Sequence, residues 1–121
     1  MSKSVFFQGD DISVVFSTKK ELGTDLSIGD FSRIKIFAYT SPCFVSRFSH
    51  PAVVGFHPIT VINEDNAMII IPSNDTKKML GNIIVEMMFE RESEVGDLKD
   101  NASRKINTGC FVKKTLIKHE I

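Results

Sequence analysis

The chain has no tryptophan, one tyrosine (Tyr39), two cysteines and no net charge, since 15 lysines and arginines balance 15 aspartates and glutamates. Each shortage excludes something. Cys43 and Cys110 are too few for the disulfide framework of a small secreted domain, so they read as reduced thiols of a cytosolic chain. A zero balance removes the basic footprint of a general nucleic-acid binder. No apolar run exceeds the five residues from Ala67 to Ile71, far short of a bilayer span. Met1 to Ser4 lead into Val5-Phe6-Phe7 and polar Gln8-Gly9-Asp10, without the apolar stretch of a secretory signal. Synthesis in the cytoplasm is expected.

A long helical pattern is missing as well. Pro42, Pro51 and Pro58 bar a long helix from 41–58, because proline lacks the amide proton and clashes with the preceding turn. They also disfavour a central strand, leaving 44–48 and 53–56 as short strand candidates. What is present is phenylalanine, ten in 121 residues. Its ring offers large buried area and no polar handle. The remaining composition, 42% hydrophobic and 25% charged, is that of an ordinary folded globule. Residues 1–121 fit one domain.

Period-two segments dominate. Ile12, Val14 and Phe16 share one face of a strand over 12–16, with 5–7 before it as an earlier short strand. Over 31–40, Ile34, Ile36 and Ala38 face one way, and Arg33, Lys35, Phe37 and Tyr39 the other. Residues 59–62 and 68–71 are expected to pair through Asn63-Glu64-Asp65-Asn66, residues that suit a turn. Over 82–89, Ile83, Val85, Met87 and Phe89 oppose Ile84, Glu86 and Met88. Ile106, Thr108, Cys110 and Val112 form one face of a closing strand. The stretch 17–30 reads as a loop with a short helical turn near 26–30, and 90–103 as an acidic loop. A further helical turn is expected near 75–80, capped from Ser73, Asn74 or Asp75 and ended by Gly81. The fold class is therefore all-β: an antiparallel sandwich, immunoglobulin-like or jelly-roll-like. Ile34, Ile36, Val85, Met87 and Val112 are expected in its core.

Chemical motifs are sparse. His50, His57 and His119 match no compact zinc spacing, even with Cys43 added. Asp10-Asp11 and Glu64-Asp65-Asn66 lack the regular spacing of a calcium loop and read as turns. No Gly-x-Ser-x-Gly and no phosphate-binding glycine loop occurs. Arg104, Lys105, Lys113, Lys114 and Lys118 would not line one stripe on a strand, and Phe111 is the sole aromatic among them. No catalytic residue, metal or cofactor is assigned, and the chain is expected not to be an enzyme.

Three segments together resemble a known pattern. They are Gln8-Gly9-Asp10-Asp11 feeding the strand to Phe16, the run from Ile69 through Pro72, Thr76, Leu80 and Gly81 to Glu86, and Asn107-Thr108-Gly109-Cys110-Phe111-Val112. Their order is similar to the N-terminal β-sandwich domain of tailed-phage baseplate upper proteins and related virion adaptor proteins. Thr24-Asp25-Leu26-Ser27-Ile28-Gly29 approximates a further segment of that family, and 41–58 is longer than its pattern. The resemblance implies a non-enzymatic structural or assembly protein of the virion, present in several copies and working through contacts with other virion proteins. The alternatives are a small carbohydrate- or nucleic-acid-binding β module, or a hydrolase of unrecognised type. Membrane partners are not expected.

Two features of the chain point to assembly. Residues 86–100 carry six acids and two bases, and residues 101–121 five bases and one acid, a sign reversal that would suit a self-complementary surface. Phe44, Phe48 and Phe56 are the candidate interface anchors, because aromatic residues concentrate at interface centres.

Overall fold

Alternation decides which side chains meet. Ile34, Ile36 and Ala38 are fully buried, as are Ile83, Val85 and Phe89, while their odd-numbered or even-numbered neighbours turn outward. In the computed structural model, the described residues are 4–23, 26–40, 44–92 and 99–114. They form β1 (Ser4–Phe7), β2 (Ile12–Ser17), α1 (Thr18–Leu22), a 3-10 turn (Ile28–Asp30), β3 (Arg33–Thr40), β4 (Phe44–His50), β5 (His57–Pro58), β6 (Thr60–Val61), β7 (Asn66–Ile71), α2 (Ser73–Thr76), β8 (Gly81–Glu92) and β9 (Lys99–Lys113).

The larger sheet has the order β1-β9-β8-β3-β4-β5, and the smaller one β2-β7-β6. Pairing is mostly antiparallel, with parallel exceptions at β1–β9 and β4–β5. The architecture is a mostly antiparallel β fold, open and curled rather than a fully closed sandwich. The core lies between the two inner faces. Ile12, Phe16, Ala67, Ile69 and Ile71 come from the smaller sheet and meet Ile36, Phe48, Val85, Met87, Phe89 and Val112 from the larger. Phe16 and Phe89 touch across the gap at 6.5 Å between centroids and 70° between planes. Such edge contacts place the positive rim of one ring on the negative face of the other. All five expected core residues are buried.

One corner ties the two sheets together. The turn between β1 and β2 is held against α2: Thr76 Oγ1 accepts from the Gly9 amide at 3.0 Å and donates to the Asp10 carbonyl at 2.7 Å. Asp11 Oδ1 accepts from the Ser73 amide at 2.8 Å. Asp10 Oδ2 accepts from the Phe7 amide at 2.8 Å. The two aspartates thus serve turns and chain ends.

Several expectations need correction. The segment 90–103 is mainly strand, since β8 runs to Glu92 and β9 starts at Lys99, paired Glu90↔Asn101, Arg91↔Asp100 and Glu92↔Lys99. A polar ladder satisfies its backbone as well as an apolar one, so polarity alone misled; residues 93–98 lie outside the described ones. Within 17–30, α1 forms because Ser17 Oγ accepts from the Lys20 amide and Gly23 closes the turn at φ 63°; the 3-10 turn follows where helix was expected. The helical turn near 75–80 is α2, placed slightly earlier at Ser73–Thr76.

In 41–58, β4 fits between prolines and lies inside the sheet. Residues 53–56 form a turn instead of a strand, with the Phe56 amide donating to the Val53 carbonyl and Gly55 at φ 88°. On β9, four steps from Asn107 to Phe111 face two from Ile84 to Asn82, with Gly109 at φ 78°. The insertion is even-numbered, so Ile106 and Val112 stay on one face despite the bulge.

Candidate functional site

The inner faces are spent on the core, so chemistry has to come from corners and outer faces. One corner gathers a serine, an aspartate and a histidine. Ser46 Oγ on β4 donates to Asp75 Oδ2 at 2.6 Å, and His57 Nε2 on β5 lies 3.0 Å from the same oxygen. These are the residue types of a nucleophilic triad in the wrong order. A triad needs the imidazole between serine and carboxylate, to take the hydroxyl proton. Here the carboxylate sits in the middle, and Ser46 is buried. The His57 ring also packs on Phe48 at 5.3 Å. The arrangement does structural work, fastening α2 to β4 and β5.

The other candidate ligands do not converge. His50 is half-buried at the end of β4, and Cys110 is a buried free thiol. Cys43 and His119 lie outside the described residues. Among the described residues, no group of three or more His, Cys, Asp or Glu side chains is placed to hold a metal. Asn63 Oδ1 accepts from the Asp65 and Asn66 amides at 3.0 Å, which makes that acidic cluster a turn. A groove of about 470 Å³ runs along Phe7, Leu80, Gly81, Phe111, Val112, Lys113 and Lys114. Its walls are mostly apolar, with two lysines, and no acid, serine, cysteine or histidine lines it.

The outer face of the large sheet is different. Cross-strand register aligns Val45, Tyr39, Ile84 and Asn107 in one row. Arg47, Phe37, Glu86 and Lys105 form the next, Ser49, Lys35, Met88 and Ser103 a third, and Arg33, Glu90 and Asn101 a fourth. Loop 51–56 folds over the edge of this face: the Ser49 hydroxyl donates to the Pro51 carbonyl at 2.9 Å and is buried there. The fold-over sets the Phe56 ring 6.2 Å from Phe37 and 5.6 Å from Lys35 Nζ, a cation over an aromatic face. Tyr39 donates to Glu86 Oε2 at 2.6 Å. That bond is the main reason its phenol is held above the ordinary value of 10.0; partial desolvation adds to it and Lys105 works against it. Four cations therefore stand against two carboxylates, around a centre of half-buried rings. The guanidinium groups of Arg33 and Arg47 make no hydrogen bond or ion pair with other described residues.

The three phenylalanines named from sequence have separate fates. Phe48 is fully buried and points to the core, so it has no surface to offer a partner. Its parity on β4 decides this: Phe48 stands opposite buried Ile36. Phe56 is half-buried on the outer face. Phe44 starts β4, and its side chain lies outside the described ones. The exposed apolar residues of this region are Val45, Val53 and Val54, the last 98% exposed at the loop tip. The alternation Phe44-Val45-Ser46-Arg47-Phe48 already carried the signal that Val45 and Arg47 share a face. Of the sign reversal between 86–100 and 101–121, the register sets one acid against one base across the two segments, Glu86 opposite Lys105. No family model, curated protein or solved structure matches the chain.

Proposed function

We propose that this chain is a non-enzymatic contact module, a structural or adaptor part of a tailed-phage virion that binds other virion proteins and is used in several copies. It would be made in the bacterial cytoplasm and carried in the particle. The finer fold assignment, a sandwich related to immunoglobulin-like or jelly-roll domains, belongs to the same proposal. The observation that carries the contact reading is the outer face of the large sheet. Arginine, tyrosine, phenylalanine and methionine sit there together, the residues enriched where proteins meet. The motif order of 8–16, 69–86 and 107–112 supports the virion part.

Particle incorporation tests the reading. Arg47→Glu and Val54→Asp alter exposed side chains and leave the core intact. Wild-type chain recovered in purified particles, with both variants lost from them at unchanged melting temperature, is the expected result. A wild-type chain absent from particles rejects the virion role. Normal incorporation of both variants rejects this face. Coding neighbours for capsid, portal or tail proteins are expected beside its gene; metabolic neighbours count against it.

A further inference from the structure

We infer that the outer face of the large sheet binds an extended acidic protein segment, with two carboxylates flanking an apolar side chain. The inference rests on the contact reading above and specifies the partner's chemistry. Charge complementarity comes first. Arg33 and Arg47 are exposed and keep their full donor sets, since no described residue bonds their guanidinium groups. A planar guanidinium pairs with a carboxylate through two parallel hydrogen bonds, so it favours this anion over a diffuse negative field. Glu86 and Glu90 leave the face with a cationic excess rather than a neutral surface.

Spacing comes second. Arg47 stands opposite Phe37, and Arg33 lies four residues from Phe37 along β3. At ordinary strand rise and spacing, the two arginine backbones are roughly 14 Å apart. An extended partner covers that distance in about four residues, and alternate residues of it face the same way. Acids at both ends of such a stretch reach Arg33 and Arg47. The residue midway between them comes level with Lys35, beside the Phe56 ring that packs on Phe37, where an apolar side chain covers half-buried aromatic surface.

A nucleic acid fits less well. Phe37 and Phe56 pack edge to face, and the Tyr39 hydroxyl is taken by Glu86, so open platforms for base stacking are not offered. Glu86 lies in the middle of the face and opposes a continuous phosphate chain.

The probe is a displayed library of short random peptides, selected on the full chain and on its Arg33→Glu/Arg47→Glu variant. Both substitutions are on the surface, and the variant's melting curve checks that it folds. Expected are peptides carrying an acid, a variable residue, an apolar residue, a variable residue and an acid. Their binding should weaken at least about tenfold in the variant, and weaken with salt. Selected peptides without acidic enrichment, or bound equally by the folded variant, overturn the inference. So does tighter binding of an oligothymidylate than of the best peptide. A variant that fails to fold is replaced by Arg33→Gln/Arg47→Gln, judged by the same criterion. The selection does not depend on particle incorporation, so failure of the virion role and failure of this inference are told apart.

Discussion

The Ser46 hydroxyl donates to Asp75 Oδ2 over 2.6 Å, joining β4 to α2 across 29 residues of sequence. Ser46 is almost fully buried, and this carboxylate is the acceptor that its hydroxyl finds there. Asp75→Ala is expected to destabilise the fold by about 1–3 kcal/mol, the cost of a buried donor left without a partner. Removing both groups, with Ser46→Ala added, should cost less than the sum of the single changes. Urea unfolding of the four species measures the coupling. Strict additivity would mean that the bond contributes nothing.

Val85 and Met88 test the facing of β8. Val85 is fully buried and Met88 is 42% exposed. Val85→Ala should cost about 1–3 kcal/mol, and Met88→Ala no more than about 0.5 kcal/mol. A reversed order in denaturant midpoints would place the wrong face of β8 inward.

Tyr39 is the only tyrosine, so its phenolate can be followed directly by ultraviolet absorbance. Its midpoint in the folded chain is expected above 10.0, because Glu86 accepts the phenol's hydrogen bond and repels the phenolate. Glu86→Gln should bring the midpoint down. A proton held more tightly in the folded than in the unfolded chain stabilises the fold below the unfolded value, near pH 10. That contribution is lost as pH rises through the higher folded midpoint. A midpoint at or below that of the unfolded chain would contradict the bond.

Phe48 and Phe56 should separate cleanly as core and surface. Phe48→Ser removes a buried ring and buries a hydroxyl, and a loss of at least about 3 kcal/mol is expected. Phe56→Ser forfeits only the contacts with Phe37 and Lys35, so a loss below about 1.5 kcal/mol is expected. Equal losses in thermal or urea melts would put both rings in the core.

Residue order alone makes some of this legible. Strict alternation marks Ile34, Ile36, Val85 and Met87 as inward-facing, because side chains of a strand point to opposite sides in turn. The same rule places Arg33, Lys35, Phe37 and Tyr39 together on the outside. Parity even survives the bulge at 107–111, since two extra residues shift no side chain to the other face. Where alternation is short or polar, as at 90–92 and 99–103, the same reading mistakes strand for loop.

Residue order cannot say which strands become neighbours. Arg47 joins Phe37, Glu86 and Lys105 only because β4, β3, β8 and β9 lie side by side, in an order that does not follow the chain. Ser46, His57 and Asp75 meet at one oxygen although they come from β4, β5 and α2. Glu86 meets Lys105, from the oppositely charged segment, only because β8 and β9 pair in that register. The facing of each side chain follows from local backbone geometry, which the sequence carries residue by residue. Strand order and register follow from burying all the inward faces against one another at once, a global packing condition that only the tertiary structure resolves.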